Sequence, residues 1–296
     1  MQVNFLKYKK IYFAFSGLLM AGCLAGIFTF GLNPGIDFTG GSIIEISYED
    51  AMPSAQAVRD ALSDFGEVQV QPTDENGLII RMGDMSEETH QEILGMLSEG
   101  YQAEELRFES IGPVIGQELK NKTMLLIFLA LISIVLYVAF AFRKVQRPVR
   151  SWQYGIASLI ALFHDVLIPV GVFSVMGYYM EVQFTIPVVT ALLTVLGYSI
   201  NNTVVVFDRI REALIRREGV TFEETVNKAL NRSLTRCINT SLTTLLVLSA
   251  IYFFGGETLK YFSLALIIGI AAGTYSSLFL ASPILAAWLK WRKKIA

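Results

Sequence analysis

The sequence predicts an α-helical membrane protein with six transmembrane helices and a small α+β domain between the first and the second helix. Hydrophobic residues make up 53% of the 296-residue chain, and the mean hydropathy is +0.50. Apolar runs recur along the chain, each close to the roughly 20 residues that cross a bilayer core. A long acidic segment separates the first two runs. The predicted spans, numbered one to six, are Ile11–Ile36, Thr123–Phe142, Tyr154–Val175, Val182–Phe207, Cys237–Gly256 and Tyr261–Leu289.

Span one follows Lys7, Lys9 and Lys10, so it also has the charge pattern of a cleaved signal peptide. Its length, and the lack of a convincing small-residue cleavage site after it, favour a retained span. We therefore expect residues 1–32 to form a cytoplasmic N-terminus and the first transmembrane helix.

The orientation follows from the basic residues, which gather on one side of a six-span arrangement. Cytoplasmic loops carry an excess of lysine and arginine, so that side is predicted to be the cytoplasm, and both termini are expected there. The protein is accordingly predicted to be a multi-pass protein of the cytoplasmic (inner) membrane. Besides the N-terminal lysines, the basic residues are Arg143, Lys144, Arg147, Arg150, Arg209, Arg211, Arg216, Arg217, Lys228, Arg232, Lys290, Arg292, Lys293 and Lys294.

The segment 33–122 is expected to form a separate domain on the opposite, extracytoplasmic side. It contains 18 acidic against five basic residues, and its hydrophobic pattern alternates between strand and helix periods. Asn76-Gly77 is typical of a hairpin turn. The order β-α-β-β-α-β predicts a ferredoxin-like unit. The predicted strands are Ser42–Tyr48, Val68–Val70, Leu78–Met82 and Leu106–Ile111, and the predicted helices are Ser54–Phe65 and Ser86–Leu97.

No part of this domain has a pattern typical of catalysis. It contains one histidine, His90, which we expect on the surface of a helix, and it has no cysteine and no nucleophile beside a base. The chain has no metal-ligand spacing. We therefore predict no enzyme activity, no cofactor, no metal and no nucleic-acid partner, and we expect the domain to be a binding or moving part. Residues 123–296 are expected to contain spans two to six, the cytoplasmic loops and the C-terminus.

Polar side chains within spans four and five are the main functional signal. Inside an apolar span such groups cost free energy unless they face a bundle interior or a hydrated path. Two stripes at four-residue spacing can face each other and form a hydrated seam, with Asn202 and Arg236 at similar depth; purely structural hydrogen bonds and snorkelling of Arg236 are the alternative. The stripes are Thr190, Thr194, Tyr198 and Asn202 on span four, and Arg236, Thr240 and Thr244 on span five.

Asp165 lies deep in span three, beside His164. An aspartate at the centre of a span costs about 2.5 to 3.5 kcal/mol on insertion scales, so it calls for a partner; ion coupling and a structural hydrogen bond are both open. In span six, Gly269, Gly273, Ser277 and Ala281 recur every four residues, a spacing that lets two helices approach closely.

Several motifs, taken in order, closely resemble the SecF side of the SecD/SecF protein-export family, within the resistance-nodulation-division superfamily. They cover nearly the whole chain. The motifs are GIDFTGG at Gly35–Gly41, IGPVIGQEL at Ile111–Leu119, His164-Asp165, GYSINNTVVVFDRIRE at Gly197–Glu212, and the Gly255-Gly256 turn. The family motif residues carried over are Gly35, Asp37, Gly40, Gly41, Asp208 and Arg209.

The resemblance implies an accessory subunit of the Sec translocon that uses the proton motive force to help draw preproteins out on the outer face of the membrane. It implies half of a twelve-span transporter, with SecD as the other half, and contacts with the translocon channel, preprotein and membrane lipid. Tyr198, Asn201, Asn202, Asp165 and Arg236 would then belong to the ion path.

One residue departs from the family pattern, which has an aspartate after Asn201 where this chain has Asn202. An amide does not titrate near neutral pH. Either an acid in SecD suffices, or Asp165 contributes, or the coupling ion differs. The rival classes are a small-molecule or lipid exporter of the same superfamily and a structural subunit without ion coupling.

Overall fold

The computed structural model describes residues 3–49, 52–73, 76–99, 101–141 and 149–295. The predicted cytoplasmic residues Arg143, Lys144 and Arg147 lie outside this set. The chain divides into two compact units. The membrane unit comprises Met1–Leu32, Leu126–Tyr179 and Pro187–Ala296, and the sheet domain comprises Asn33–Leu125 and Met180–Ile186.

Six helical stretches in the described residues are long and apolar enough to cross a membrane, which confirms the predicted number of spans. A single turn of 3₁₀ helix, Phe5–Tyr8, leads into the first helix, and a π-helical segment, Ser277–Ala281, interrupts the last span. The helices of the spans are α1 (Lys9–Phe30), α5 (Pro113–Ala141), α6 (Ser151–Met180), α7 (Ile186–Ile215), α8 (Phe222–Phe254), and the pair α9 (Glu257–Ser276) and α10 (Ser282–Ile295).

Several helices extend beyond the apolar runs that predicted them. Helix α5 begins at Pro113, ahead of the predicted start at Thr123, because proline is favoured at a first helical position and nothing after it breaks the helix. The charged first turns are supported by an ion pair between Lys122 and Glu118, whose atoms lie 2.7 Å apart. Helices α7 and α8 likewise continue into the connection between them, leaving only residues 216–221 outside helix.

The membrane unit is built around spans three, four and six. Within their most apolar windows, 56 to 61% of residues are buried, against 6 to 17% for spans one, two and five. Helices α6, α7 and α9 therefore form the centre, whereas α5 and α8 leave most of their surface exposed. A bilayer covers apolar exposed surface, but exposed polar surface in a span needs another explanation.

The sheet domain has the predicted βαββαβ order. Its four strands are antiparallel in the order β2-β3-β1-β4, which is the ferredoxin-like arrangement. A short helix that the pattern did not predict, α2 (Ile36–Thr39), precedes the first strand. The remaining elements are β1 (Gly41–Tyr48), α3 (Ala55–Ala61), a 3₁₀ turn (Ser63–Phe65), β2 (Gln69–Pro72), β3 (Gly77–Met82), α4 (Glu87–Ser98) and β4 (Ala103–Ile111).

The prediction that His90 lies on the surface of its helix is wrong. Only 3% of the surface of His90 is exposed to solvent, and its ring stacks on that of Phe108 with ring centroids 3.7 Å apart. Helix α4 starts at the capping residue Ser86 and buries His90, Ile93 and Leu97, which share one face at helical spacing. His90 thus belongs to the apolar face of α4.

Candidate functional site in the membrane unit

Glycines on α9 bring that helix against α7. A Cβ atom added at Gly269 would lie 2.8 Å from Cγ1 of Val195, and one added at Gly273 would lie 3.0 Å from Cβ of Ser199. Only residues without a side chain fit this contact. The small-residue repeat of span six therefore packs within the chain, against α7, and the close approach brings polar groups of both helices together.

Asp165 is the centre of a buried polar cluster that joins three helices. Its fully buried side chain lies 2.9 Å from Nδ1 of His164 and accepts hydrogen bonds from the hydroxyl groups of Ser199 on α7 and Ser276 on α9. The Ser276 bond is 2.7 Å long. Both hydroxyl groups donate to the carboxyl group, which can accept through either of its oxygens. The partner that a mid-span aspartate requires is therefore supplied inside the chain.

His164 is also fully buried, but only one of its ring nitrogens has a partner. Because Nδ1 bonds the carboxylate of Asp165, Nε2 is the remaining nitrogen, and it has no hydrogen-bond partner among the described residues. The ring stacks on that of Tyr275, with centroids 5.9 Å apart. A buried polar atom without a partner is uncommon and calls for an explanation.

A second polar cluster surrounds Asn202, which is 3% exposed. Its amide nitrogen lies 3.4 Å from the hydroxyl oxygen of Ser241 on α8, and that oxygen accepts a 2.6 Å hydrogen bond from Thr274 on α9. At the next position on α7, Thr203 pairs with Ser277 at 2.9 Å. Asn202 therefore links α7, α8 and α9 through neutral hydrogen bonds.

The outward face of α7 and α8 is polar, although both helices lie in the membrane unit. The phenol group of half-buried Tyr198 donates to the carbonyl oxygen of Thr240 at 3.0 Å and lies 3.3 Å from the hydroxyl group of Thr244, so the two predicted stripes meet here. We call this surface the polar face. Its exposed members are Thr190, Thr194, Asn201, Arg236, Asn239, Thr240 and Thr243.

The structure separates Asn202 from Arg236, which the sequence analysis had placed at similar depth. Asn202 contacts Ser241, whereas Arg236 is exposed and lies five residues earlier on α8, or about 7.5 Å along the helix axis. The neighbouring amide, Asn201, is the one that points outward with Arg236. The two amides of the motif therefore face different environments.

The glycine-rich motif after span one lies in the sheet domain, where it is hydrogen-bonded to the segment at the start of α7. The carboxylate of Asp37 accepts a 2.8 Å hydrogen bond from the backbone N–H of Ile186, the first residue of α7, and so caps the start of that helix. The backbone N–H of Gly35 donates to the carbonyl oxygen of Phe184 at 2.9 Å. Here the chain beyond span one and the chain before span four are hydrogen-bonded to each other.

The backbone conformation and close packing of this motif also require glycine at Gly40 and Gly41. Their φ angles are +75° and +130°, where residues with a side chain are rarely found. A Cβ atom at Gly40 would lie 2.8 Å from Cα of Pro113, and one at Gly41 would lie 2.7 Å from the carbonyl oxygen of Met82. These glycines thus have a packing role in the sheet domain.

Asp208 and Arg209 lie exposed at the end of α7, beyond the polar clusters. Asp208 pairs with Arg211 at 3.1 Å, and Arg209 pairs with Glu212 at 2.6 Å. Exposed pairs of this kind typically contribute about 0 to 1 kcal/mol, so these residues form a charged helix end, not a buried relay.

Ser199 and Ser276, the two hydroxyl partners of Asp165, were not singled out in the sequence analysis. Ser199 follows Val195 and precedes Asn202 and Val206 on the buried face of α7, and this helical spacing was the available signal. Ser276 stands directly before the π-helical segment, for which no sequence signal was recognised. Among the described residues, no group of three histidine, cysteine or acidic side chains could hold a metal ion.

Six spans, a ferredoxin-like insertion and ionisable groups inside the bundle define a polytopic membrane protein of the transporter class. The family profile described as "Protein export membrane protein SecD/SecF, C-terminal" matches residues 93–291, and "SecD/SecF GG Motif" matches residues 25–52. The chain belongs to the SecD/SecF family of protein export membrane proteins.

Individual relatives agree. The chain is 40% identical to "Protein translocase subunit SecF" of Thermobaculum terrenum, over 97% of this chain and 94% of that protein. It is 36% identical to "Protein translocase subunit SecDF" of Thermus thermophilus, over 93% of this chain and 37% of that protein. The crystal structure of a SecDF from the same genus, described as translocon-associated, superposes with a TM-score of 0.86 at 34% identity, covering 97% of this chain and 39% of that one. The chain thus spans about two fifths of the fused protein.

Proposed function

We propose that this chain is an accessory subunit of the Sec protein translocase that, together with SecD, couples an ion gradient to preprotein movement across the cytoplasmic membrane. The observation that carries the proposal is the polar face of α7 and α8, which a lone subunit would expose to lipid. Relatives in which SecD and SecF are one polypeptide support SecD as the partner that covers it.

Arg236 is the residue of the polar face that most needs a partner. A guanidinium group in the interior of a bilayer is costly unless it faces a cavity or another charge. Arg236 is exposed and enters none of the ion pairs between described residues. An acid of SecD placed opposite would be held in its ionised form by this arginine, and movement of an ion to that acid would change the interface.

The other predicted site residues divide between two roles. Asn201 and Tyr198 border the polar face and would hydrogen-bond water or the partner there, whereas Asn202 holds α7 to α8 and α9 from inside. Asp165 would contribute the charged group of the bundle interior. The membrane unit would then correspond to half of a twelve-span transporter, and residues 33–122 to an extracytoplasmic domain that contacts the preprotein.

The orientation of the chain is part of the proposal. Basic residues on the α7–α8 connection, among them Arg216 and Arg217, support a cytoplasmic position for that connection and for both termini. The same residues would contact anionic lipid or the translocon channel.

The test is preprotein release from proteoliposomes that contain the translocon, SecD and this chain, with and without an imposed proton or sodium gradient. Arg236→Leu should abolish the stimulation by the gradient while SecD still co-purifies. Arg211→Leu is the matched control, because Arg211 lies on a charged helix end and pairs locally with Asp208. Full stimulation in the Arg236 variant would contradict its role.

Asn202→Asp tests the interior position. Because Asn202 already contacts Ser241 and an aspartate has nearly the same shape, we expect the variant to stay active and its gradient-driven export to depend differently on pH. An unchanged pH profile would place residue 202 outside the ion path.

The same assay separates the rival classes. An exporter of small molecules or lipids would show no dependence on the translocon, and a purely structural subunit would support export equally with and without a gradient. The near-complete coverage of SecF relatives favours the translocase subunit over both.

A further inference from the structure

The buried pair His164–Asp165 combines three features: both groups are titratable, both are fully buried, and Nε2 of His164 has no hydrogen-bond partner among the described residues. Asn202, Ser241, Thr203 and their partners are neutral at all relevant pH values. Arg236 is permanently charged. A subunit that lacks an acid at position 202 therefore has few interior groups that can hold a proton, and both members of this pair are fully buried.

The hydrogen bonds fix which atom is open to a proton. The hydroxyl groups of Ser199 and Ser276 donate to Asp165 and so favour its ionised form, and with that form Nδ1 of His164 carries the hydrogen of the 2.9 Å contact. In the neutral ring, Nε2 then has a free lone pair, and it has no partner among the described residues. The structure thus places a buried ring nitrogen that has no partner among the described residues next to the buried carboxyl group of Asp165.

We propose that the His164–Asp165 pair is a proton-binding site. The proton leaves a hydronium ion, whose O–H bond breaks, and adds to the lone pair of Nε2 as an N–H bond forms, so the charge of the pair changes from −1 to 0. Asp165 stabilises the imidazolium, as an opposite charge within about 4 Å does. The role in coupling rests on the function proposed above, but the binding of the proton does not.

The groups around the pair are suited to this change. Ser199 of α7 and Ser276 of α9 donate to Asp165, and the ring of Tyr275 lies against His164. On the side of α1, the phenol group of Tyr275 bonds the backbone of Tyr12 and accepts from Ser16. Among the described residues, His164 is the one cation partner in an ion pair with Asp165. No lysine or arginine therefore competes for the carboxylate.

Ser276 connects the protonation of His164 to the conformation of span six. Its bond to Asp165 lies directly before the π-helical segment of span six, and π-helical turns are rare, strained departures from the α-helix. An imidazolium donates a stronger hydrogen bond than a neutral ring, so protonation draws Asp165 toward His164 and away from the two serines. The contact between α6, α7 and α9 is weakened as a result.

The decisive measurement is nitrogen NMR of His164 in the complex with SecD. The chain has only two histidines, so a His90→Gln background with labelled histidine in this chain alone leaves a single ring to observe. We expect an Nδ1–H tautomer at high pH and conversion to the imidazolium as pH falls. Asp165→Asn should lower the midpoint by about 1 to 3 pH units, because it removes the stabilising charge. A ring that keeps one protonation state from about pH 5 to about pH 9 overturns the proposal, as does a midpoint indifferent to Asp165→Asn.

Export assays separate this proposal from the proposed function. His164→Gln should lose stimulation by a proton gradient, whereas Ser158→Ala, which alters a buried hydroxyl group on the same helix without a partner among the described residues, should keep it. If Arg236→Leu abolishes coupling and His164→Gln does not, the coupling function stands and the site proposed here is refuted. If His164 titrates but no gradient stimulates the unaltered complex, the proton site stands and the proposed function falls.

Discussion

Gly269→Ala tests the contact between α7 and α9 on which the buried clusters depend. The added Cβ atom would lie 2.8 Å from Cγ1 and 3.1 Å from Cβ of Val195, whereas carbon atoms in favourable contact are about 3.5 to 4.0 Å apart. Valine in a helix has one strongly preferred χ1 rotamer, and rotation would not move its Cβ atom. The helices must therefore separate, at a cost of about 1 to 3 kcal/mol for overpacking.

Part of this cost is offset by the higher helix propensity of alanine, about 0.5 to 1 kcal/mol. We therefore expect the free energy of unfolding, measured by titration of micelles with a denaturing detergent, to fall by about 0 to 2.5 kcal/mol, the overpacking cost less the propensity gain. Gly155→Ala and Gly197→Ala are the controls, because nothing lies within 4 Å of an added Cβ atom at either position. Both controls should be neutral or stabilising.

A second variant identifies the cause. In Gly269→Ala with Val195→Ala, the closest atoms of Val195 are gone and the 3.1 Å distance to its Cβ atom is the closest that remains. The double variant should be more stable than the sum of the single effects by at least about 1 kcal/mol, within the usual range for residues in contact. Additive effects, or a Gly269→Ala protein as stable as the Gly155→Ala control, would refute the packing argument.

Three further outcomes concern the sheet domain. Asp37→Ala should cost about 1 kcal/mol and speed amide hydrogen exchange at Ile186, whereas Asp37→Asn, which keeps an accepting oxygen, should change exchange little. Gly40→Ala should lower the thermal midpoint of the full chain, because a φ of +75° with an extended ψ costs a residue with a side chain about 1 to 3 kcal/mol. The hydrogen bond from Gln91, together with His90, lowers the pKa of Glu87 in the folded protein. The stability that ionised Glu87 contributes is therefore present above the pKa of Glu87 in the unfolded chain, and it is lost as the pH falls through the lower pKa of the folded state. Carboxyl NMR should show this low midpoint, and Gln91→Ala should raise it.

Hydropathy and periodicity were sufficient for the architecture. The six spans follow from apolar length alone, because a bilayer leaves few other structures for such segments, and the βαββαβ order follows from alternation and helical spacing in segments with one buried face. The helix bounds were less accurate, as in α5, because helices continue through charged turns such as the one at Lys122 and Glu118 that hydropathy excludes.

The contacts of the predicted site residues followed from the sequence only in part. Tyr198 and Thr240 meet as their spacing indicated, yet Asn201 and Asn202 are adjacent in sequence and face opposite environments. Which of two neighbouring amides turns inward depends on the phase of the helix, and that phase is set by packing against α9. The apolar positions of α4 likewise indicated that His90 lies on the buried face of that helix. The prediction treated histidine as a polar residue and therefore assigned it to the surface.

The π-helical segment Ser277–Ala281 has a consequence for the numbering of span six. A π turn contains one residue more than the α turn it replaces, so the sequence on its two sides is offset by one position relative to a continuous α-helix. Loss of one residue inside the segment would restore an ordinary helix without rotating α10, whereas the same deletion elsewhere in the span would turn everything beyond it by about 100°. Single-residue deletions should therefore be best tolerated at this point of span six, and a shortened chain of this kind would have lost the irregular turn while keeping Ser276 and Asp165 in register.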